Sequence, residues 1–98
     1  MKPDGVDLDY LPLVIEEAAE VQKAITKIMR FGPNEKYPTG EHEGQTNVEA
    51  LALEVGDLLE VIDMLNLPPD VVERGRWIKR GKLKVYGPHT WRSRDDQA

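Results

Sequence analysis

Apolar residues recur along this chain with helical rather than alternating spacing, and they fall into three blocks. The first spans about Leu11 to Phe31, with Val14, Val21, Ile25 and Ile28 on one stripe and Ala18 and Ala24 beside it. Asp9 is its expected cap, Pro12 suits a first turn, and "FGP" at 31–33 closes it. The second opens at "TNVE", where Thr46 and Glu49 fit a capping box and Asn47 is the alternative cap. It runs to about Asn66 and stops at "LPPD". The third begins at Pro69 or Asp70 and ends near Tyr86, with acids at its start and bases at its end, as the helix dipole favours. Gly75 and Gly81 inside it each cost about 1 kcal/mol relative to alanine. Between the first two blocks, "NEKYPTGEHEGQ" (34–45) is polar and broken by glycine and proline, so it reads as a loop. Its length predicts a mobile or functional segment over about 32–46.

The second helix carries the most informative conflict. Leu51, Val55, Leu58, Ile62 and Leu65 make one stripe, and Ala50, Leu53, Val61 and Met64 widen it beyond half the circumference. A helix this apolar is covered on more than one side. Glu54 and Asp57 nevertheless fall inside that arc, whereas Glu60 lies at its edge and Asp63 points away. On the first helix, Glu17 and Glu20 flank the apolar stripe at the same three-residue spacing, Glu16 is one step farther round, and Lys23 and Lys27 continue the flank. Lone buried carboxylates are costly, so they must be paired or bound to a cation. If the two helices pack antiparallel, Glu17, Glu20, Glu54 and Asp57 converge. Oxygen-only donors of that kind favour Mg²⁺, with Mn²⁺ the alternative. The plainer reading is a solvated acidic face on the first helix, with Glu54 paired to Lys23 or Lys27.

Composition bounds the function. Ninety-eight residues make one domain, with a core over about 9–86 and an irregular tail over 87–98. So short a chain buries little surface alone, which favours self-association. The absence of cysteine excludes disulfides and thiolate metal sites. No apolar run approaches the roughly 20 residues that span a bilayer, and "MKPDGVDLDY" lacks the features of a signal peptide. The expectation is therefore a soluble cytoplasmic chain without a membrane partner. Residues 1–66 carry 14 acids against 5 bases, and residues 67–98 carry 4 against 8. Overall acidity disfavours nucleic acid as a partner.

Taken together, "EEAAE" (16–20) followed by "EVGDLL" (54–59) resembles the ExxE…ExxD signature of the MazG-like, all-α nucleoside triphosphate pyrophosphohydrolases. The likeness covers about Leu11 to Leu67. It extends more weakly to "KRGKLKVY" (79–86), which is similar to the basic ending of small phage and bacterial members. It implies an all-α bundle of three main helices completed by homodimerisation, as a dimer or dimer of dimers. It also implies a cytoplasmic setting in a bacterium or phage-infected cell. The implied metal ligands are Glu17, Glu20, Glu54 and Asp57. Glu16 would be an extra ligand or would help Glu17 activate water. One departure is the 33 residues between Glu20 and Glu54, longer than the compact family spacing because of the loop.

The implied activity is Mg²⁺-dependent cleavage of a (d)NTP to a monophosphate and pyrophosphate. Lys23, Lys27 and Arg30 on the first helix and Lys79, Lys82 and Lys84 on the third are candidates to meet the phosphates. Phe31, Tyr37, Trp77, Tyr86 and Trp91 are aromatic candidates for the base, although Trp77 is expected in the core. His42 and His89 are expected at the surface of loops. Two alternatives stay open. One is an enzyme similar to phosphoribosyl-ATP pyrophosphohydrolase, although Glu60-Val61 stands here in place of the Tyr-His that follows "ADLL" in that family. The other is a catalytically silent helical interaction module.

Overall fold

The structure is a computed structural model that describes residues 5–87. A 3-10 turn (Leu8–Tyr10) leads into α1 (Leu11–Phe31), followed by α2 (Asn47–Met64) and α3 (Pro69–Tyr86). Among the described residues there is no β-strand, only two isolated bridges within the loop. No helix among them is long and apolar enough to cross a membrane. The chain divides into two compact units between Asn66 and Leu67, where the sequence turns from net acidic to net basic.

In the first unit, α1 and α2 pack antiparallel, as three contacts show. Asp7 N–H donates to the Leu65 carbonyl (2.8 Å) at one end, and Val48 N–H donates to the Pro33 carbonyl (3.1 Å) at the other. The buried Asn47 amide donates to the carbonyls of Gly32 (2.8 Å) and Lys27 (3.4 Å), tying the start of α2 to the end of α1. Ala24, Ala50 and Leu65 are the buried apolar residues. Val14, Val21 and Ile28 on α1 and Leu58, Val61 and Ile62 on α2 are half-buried around them. Other members of the predicted arcs, Ile25, Leu53 and Val55, stay exposed.

The ends of the helices follow local chemistry. Asp9, predicted as the cap of α1, lies inside the 3-10 turn instead. The capping carboxylate belongs to Asp7, which accepts from Asp9 N–H at 3.1 Å, and Tyr10 enters α1 without a side-chain cap. Gly32 ends α1 at φ 88°, a left-handed conformation that glycine adopts without strain, and its N–H reaches the Ile28 carbonyl. The capping box at Thr46 and Glu49 is present in both directions. With Asn47 N–H on the Glu35 carbonyl, Val48 N–H on Pro33 and Glu49 N–H on Thr46, the leading donors of α2 all have partners. α2 ends two residues before the predicted Asn66, because Asn66 takes φ 58° and cannot continue a right-handed helix.

The loop between α1 and α2 is folded rather than extended. Tyr37 N–H donates to the Gln45 carbonyl and Gly44 N–H to the Tyr37 carbonyl, each at 2.9 Å. Gly40 and Gly44, at φ 93° and 82°, let the segment turn back on itself with His42 between them. The second unit contains α3, which Pro68 and Pro69 start and which continues through Gly75 and Gly81. Arg80 and Glu73 pair along it at 3.6 Å. Trp77, expected in the core, is 71% exposed, because among the described residues its unit has no second element to pack against. His89, Trp91 and the predicted irregular tail beyond Gly87 lie outside the described residues.

Candidate metal centre

Antiparallel packing sets Glu17 of α1 against Glu54 and Asp57 of α2. One oxygen from each of these carboxylates lies within 4.8 Å of the others, a cluster that could hold a metal ion. The three differ in environment: Glu54 is only 6% exposed, Glu17 is half-buried and Asp57 is exposed. The Glu17 pKa is pushed up, first by its own desolvation and then by the negative charges of Asp57, Glu54, Glu20 and Glu16. A cation would relieve that repulsion, and an all-carboxylate donor set suits a hard divalent ion.

The remaining candidates are spread around this cluster. Glu20 is exposed and turns toward an adjoining cleft of about 180 Å³, which Lys23, Lys27, Tyr37, His42 and Glu54 also line. Glu16 is exposed and outside the three-carboxylate group, although its charge is felt at Glu17. The Arg30 guanidinium lies over the Phe31 ring, 4.8 Å from its centre, and is not among the residues lining the cleft. Lys79, Lys82 and Lys84 belong to α3, in the second unit.

The residue that sequence spacing misplaces is His42. It is not a surface loop residue: its side chain is 13% exposed and its Nε2 lies 2.7 Å from Glu54 Oε1. Its Nδ1 lies 2.9 Å from Gln45 Oε1. Glu54 thus pairs with His42, and not with Lys23 or Lys27 as in the plainer reading of the sequence. The hydrogen bonds to Glu54 and then Gln45 hold the imidazole pKa up against desolvation, with the charges of Glu54 and Glu41 adding to them. Glu41, His42 and Glu54 form a second group whose ligand atoms lie within 4.8 Å, sharing Glu54 with the first. The only signal in the sequence is the "GEHEG" run (40–44), with a histidine between two turn-forming glycines in an overlong loop.

No protein-family model, no curated protein and no solved structure matches this chain.

Proposed function

We propose that the chain is a Mg²⁺-dependent nucleotide pyrophosphohydrolase that cleaves a (d)NTP to the monophosphate and pyrophosphate in the cytoplasm. The observation that carries the reading is the convergence of Glu17, Glu54 and Asp57 within 4.8 Å beside a cleft lined by Lys23 and Lys27. Likeness of "EEAAE" and "EVGDLL" to the MazG-like signature supports it.

Glu17, Glu54 and Asp57 would hold the divalent ion, with Glu20 at the edge of the cleft. When bound, Mg²⁺ supplies charge neutralisation for the polyphosphate and makes water more acidic. The chain's own groups do the rest. Lys23 and Lys27 bring cationic charge to the phosphates in the cleft. Glu17, or Glu16 beside it, would take the proton of the attacking water. The water oxygen bonds to the α-phosphorus, the bond from that phosphorus to the bridging oxygen breaks, and pyrophosphate leaves with the bond's electrons. His42 fixes one oxygen of Glu54 and so limits the directions in which that carboxylate can turn.

Homodimerisation belongs to the same proposal, since α1 and α2 leave apolar side chains such as Ile15 and Leu59 in solvent. One observation favours a second reading. The His42–Glu54 pair satisfies the buried carboxylate without any metal, as a silent interaction module would require.

Incubation with a panel of (d)NTPs, and with phosphoribosyl-ATP, in the presence of Mg²⁺ separates these readings. Chromatography should show monophosphate and pyrophosphate. Asp57→Asn should abolish turnover while circular dichroism shows unchanged helix content. Folded wild-type protein with no turnover across the panel favours the silent module.

A further inference from the structure

We propose that the cavity between the end of α1 and the loop is the subsite for the base of a bound nucleotide, with Phe31 and Tyr37 as its recognition residues. The inference rests on the nucleotide reading above and deepens it by naming what selects the substrate. The cavity has a volume of about 320 Å³, and Phe31, Tyr37 and Pro38 line it with Lys27, Lys36, Asn47 and one carboxylate, Glu35. That is the small end of the range of about 300–1,000 Å³ common for ligand sites, and it suits one flat ring system.

Two features point to an anionic aromatic molecule. Phe31, the last residue of α1, is 52% exposed. Two cations flank that ring, with the Arg30 guanidinium carbon 4.8 Å and Lys27 Nζ 5.9 Å from its centre. An aromatic face with cations beside it fits a base carrying phosphates better than it fits a neutral ring. The walls are also set in advance. Tyr37 is bound through both its N–H and its carbonyl within the loop, and its ring meets His42 edge-on at 5.4 Å. Asn47 locks the end of α1 to the start of α2 through Gly32 and Lys27. A preformed site loses less freedom on binding.

The position selects the occupant. Lys27 and Tyr37 line both this cavity and the cleft that holds Glu20, His42 and Glu54. A nucleotide with its base against Phe31 therefore passes its phosphates by the Lys27 ammonium toward the carboxylates. The loop that makes this subsite is the same segment that delivers His42 to Glu54, so base recognition and the carboxylate cluster share one support.

The test pairs binding with kinetics. Calorimetric titration with dAMP, dGMP, dCMP and dTMP, with and without Mg²⁺, is run on wild type, Phe31→Ala, Phe31→Trp and Tyr37→Ala. Circular dichroism verifies the fold of each. At least one monophosphate should bind wild type, and Phe31→Ala and Tyr37→Ala should each weaken it by about tenfold, the order expected for one lost base–aromatic stack. Phe31→Trp should retain binding. In parallel, KM for the triphosphates should rise by about the same factor, and the differences among bases should narrow. If wild type hydrolyses nucleotides but both alanine variants bind and select bases as it does, the base lies elsewhere and only the subsite falls. If monophosphates bind through Phe31 and Tyr37 yet no triphosphate is cleaved, the subsite stands and the hydrolase reading falls. Folded wild type that binds none of the probes overturns the subsite.

Discussion

The oxygen of Glu54 that faces His42 is where structure and chemistry depend most on one contact. At 2.7 Å and with both side chains largely buried, the pair is a charge-assisted hydrogen bond in a poorly solvated seam. Truncating one partner leaves the other without compensation, so His42→Ala should lower the unfolding free energy by about 1.5–3 kcal/mol in chelator-treated buffer. On the metal reading, added Mg²⁺ should recover part of that loss, since a cation shared by Glu17, Glu54 and Asp57 compensates the carboxylate that has lost its partner. Urea unfolding with and without Mg²⁺ checks this, and a deficit indifferent to the ion would count for the silent module. The acids on α1 and α2 were legible from spacing, because three residues along a helix place two side chains on one flank. His42 was not legible. Its position depends on a loop closing through Tyr37, Gln45 and Gly44, and no short-range pattern encodes which helix that loop then touches.

Among the elements, α2 shows how local signals determine boundaries. Thr46 and Glu49 satisfy each other's backbone donors, and the side-chain bonds need no distant partner, so "TNVE" is readable from the string alone. Thr46→Ala should therefore cost about 0.5–2 kcal/mol, measured by thermal or urea unfolding. The Glu49 carboxyl has its pKa lowered, first by the hydrogen bond from the Thr46 backbone and then by the Thr46 side chain. A folded pKa below the ordinary 4.5 means that ionised Glu49 stabilises the native state above that value. The contribution fades as pH falls through the lower folded value. Glu49→Gln should consequently be less stable than wild type near neutrality, and the two stability curves should converge in acid. A difference that stays constant with pH would remove the carboxylate from the explanation. Where a boundary depends on more than its own turn, spacing misleads. Asp9 looks like the cap of α1, but a 3-10 turn capped by Asp7 intervenes, and α1 itself starts at Tyr10 with no side-chain cap.

At the scale of the whole molecule, the unsolved question of the sequence is what covers its apolar residues. Helical periodicity identifies a stripe but says nothing about how many partners it has. The breadth of the α2 arc implies burial on more than one side, and the place of Trp77 within a helix beside Ile78 predicts a core residue. Among the described residues of one copy, the buried apolar set is only Ala24, Ala50 and Leu65. Ile15 is 72% exposed and Leu59 60% exposed, and each recurs on a helical stripe with further apolar residues, Leu11 on α1 and Val48 and Val55 on α2. Surfaces of this kind mark an interface or an aggregation hazard. The proposed homodimer assigns them to an interface, where a dimer buries about 1,200–2,000 Å² in total. Light scattering at micromolar concentration should then give twice the chain mass. Leu59→Glu should shift the population toward monomer, because an unpaired carboxylate in an apolar interface is costly to desolvate. Its helix content should persist, since Leu59 is largely exposed within one copy. A wild type that stays monomeric and soluble would leave these stripes to a different partner and would remove self-association from the proposal.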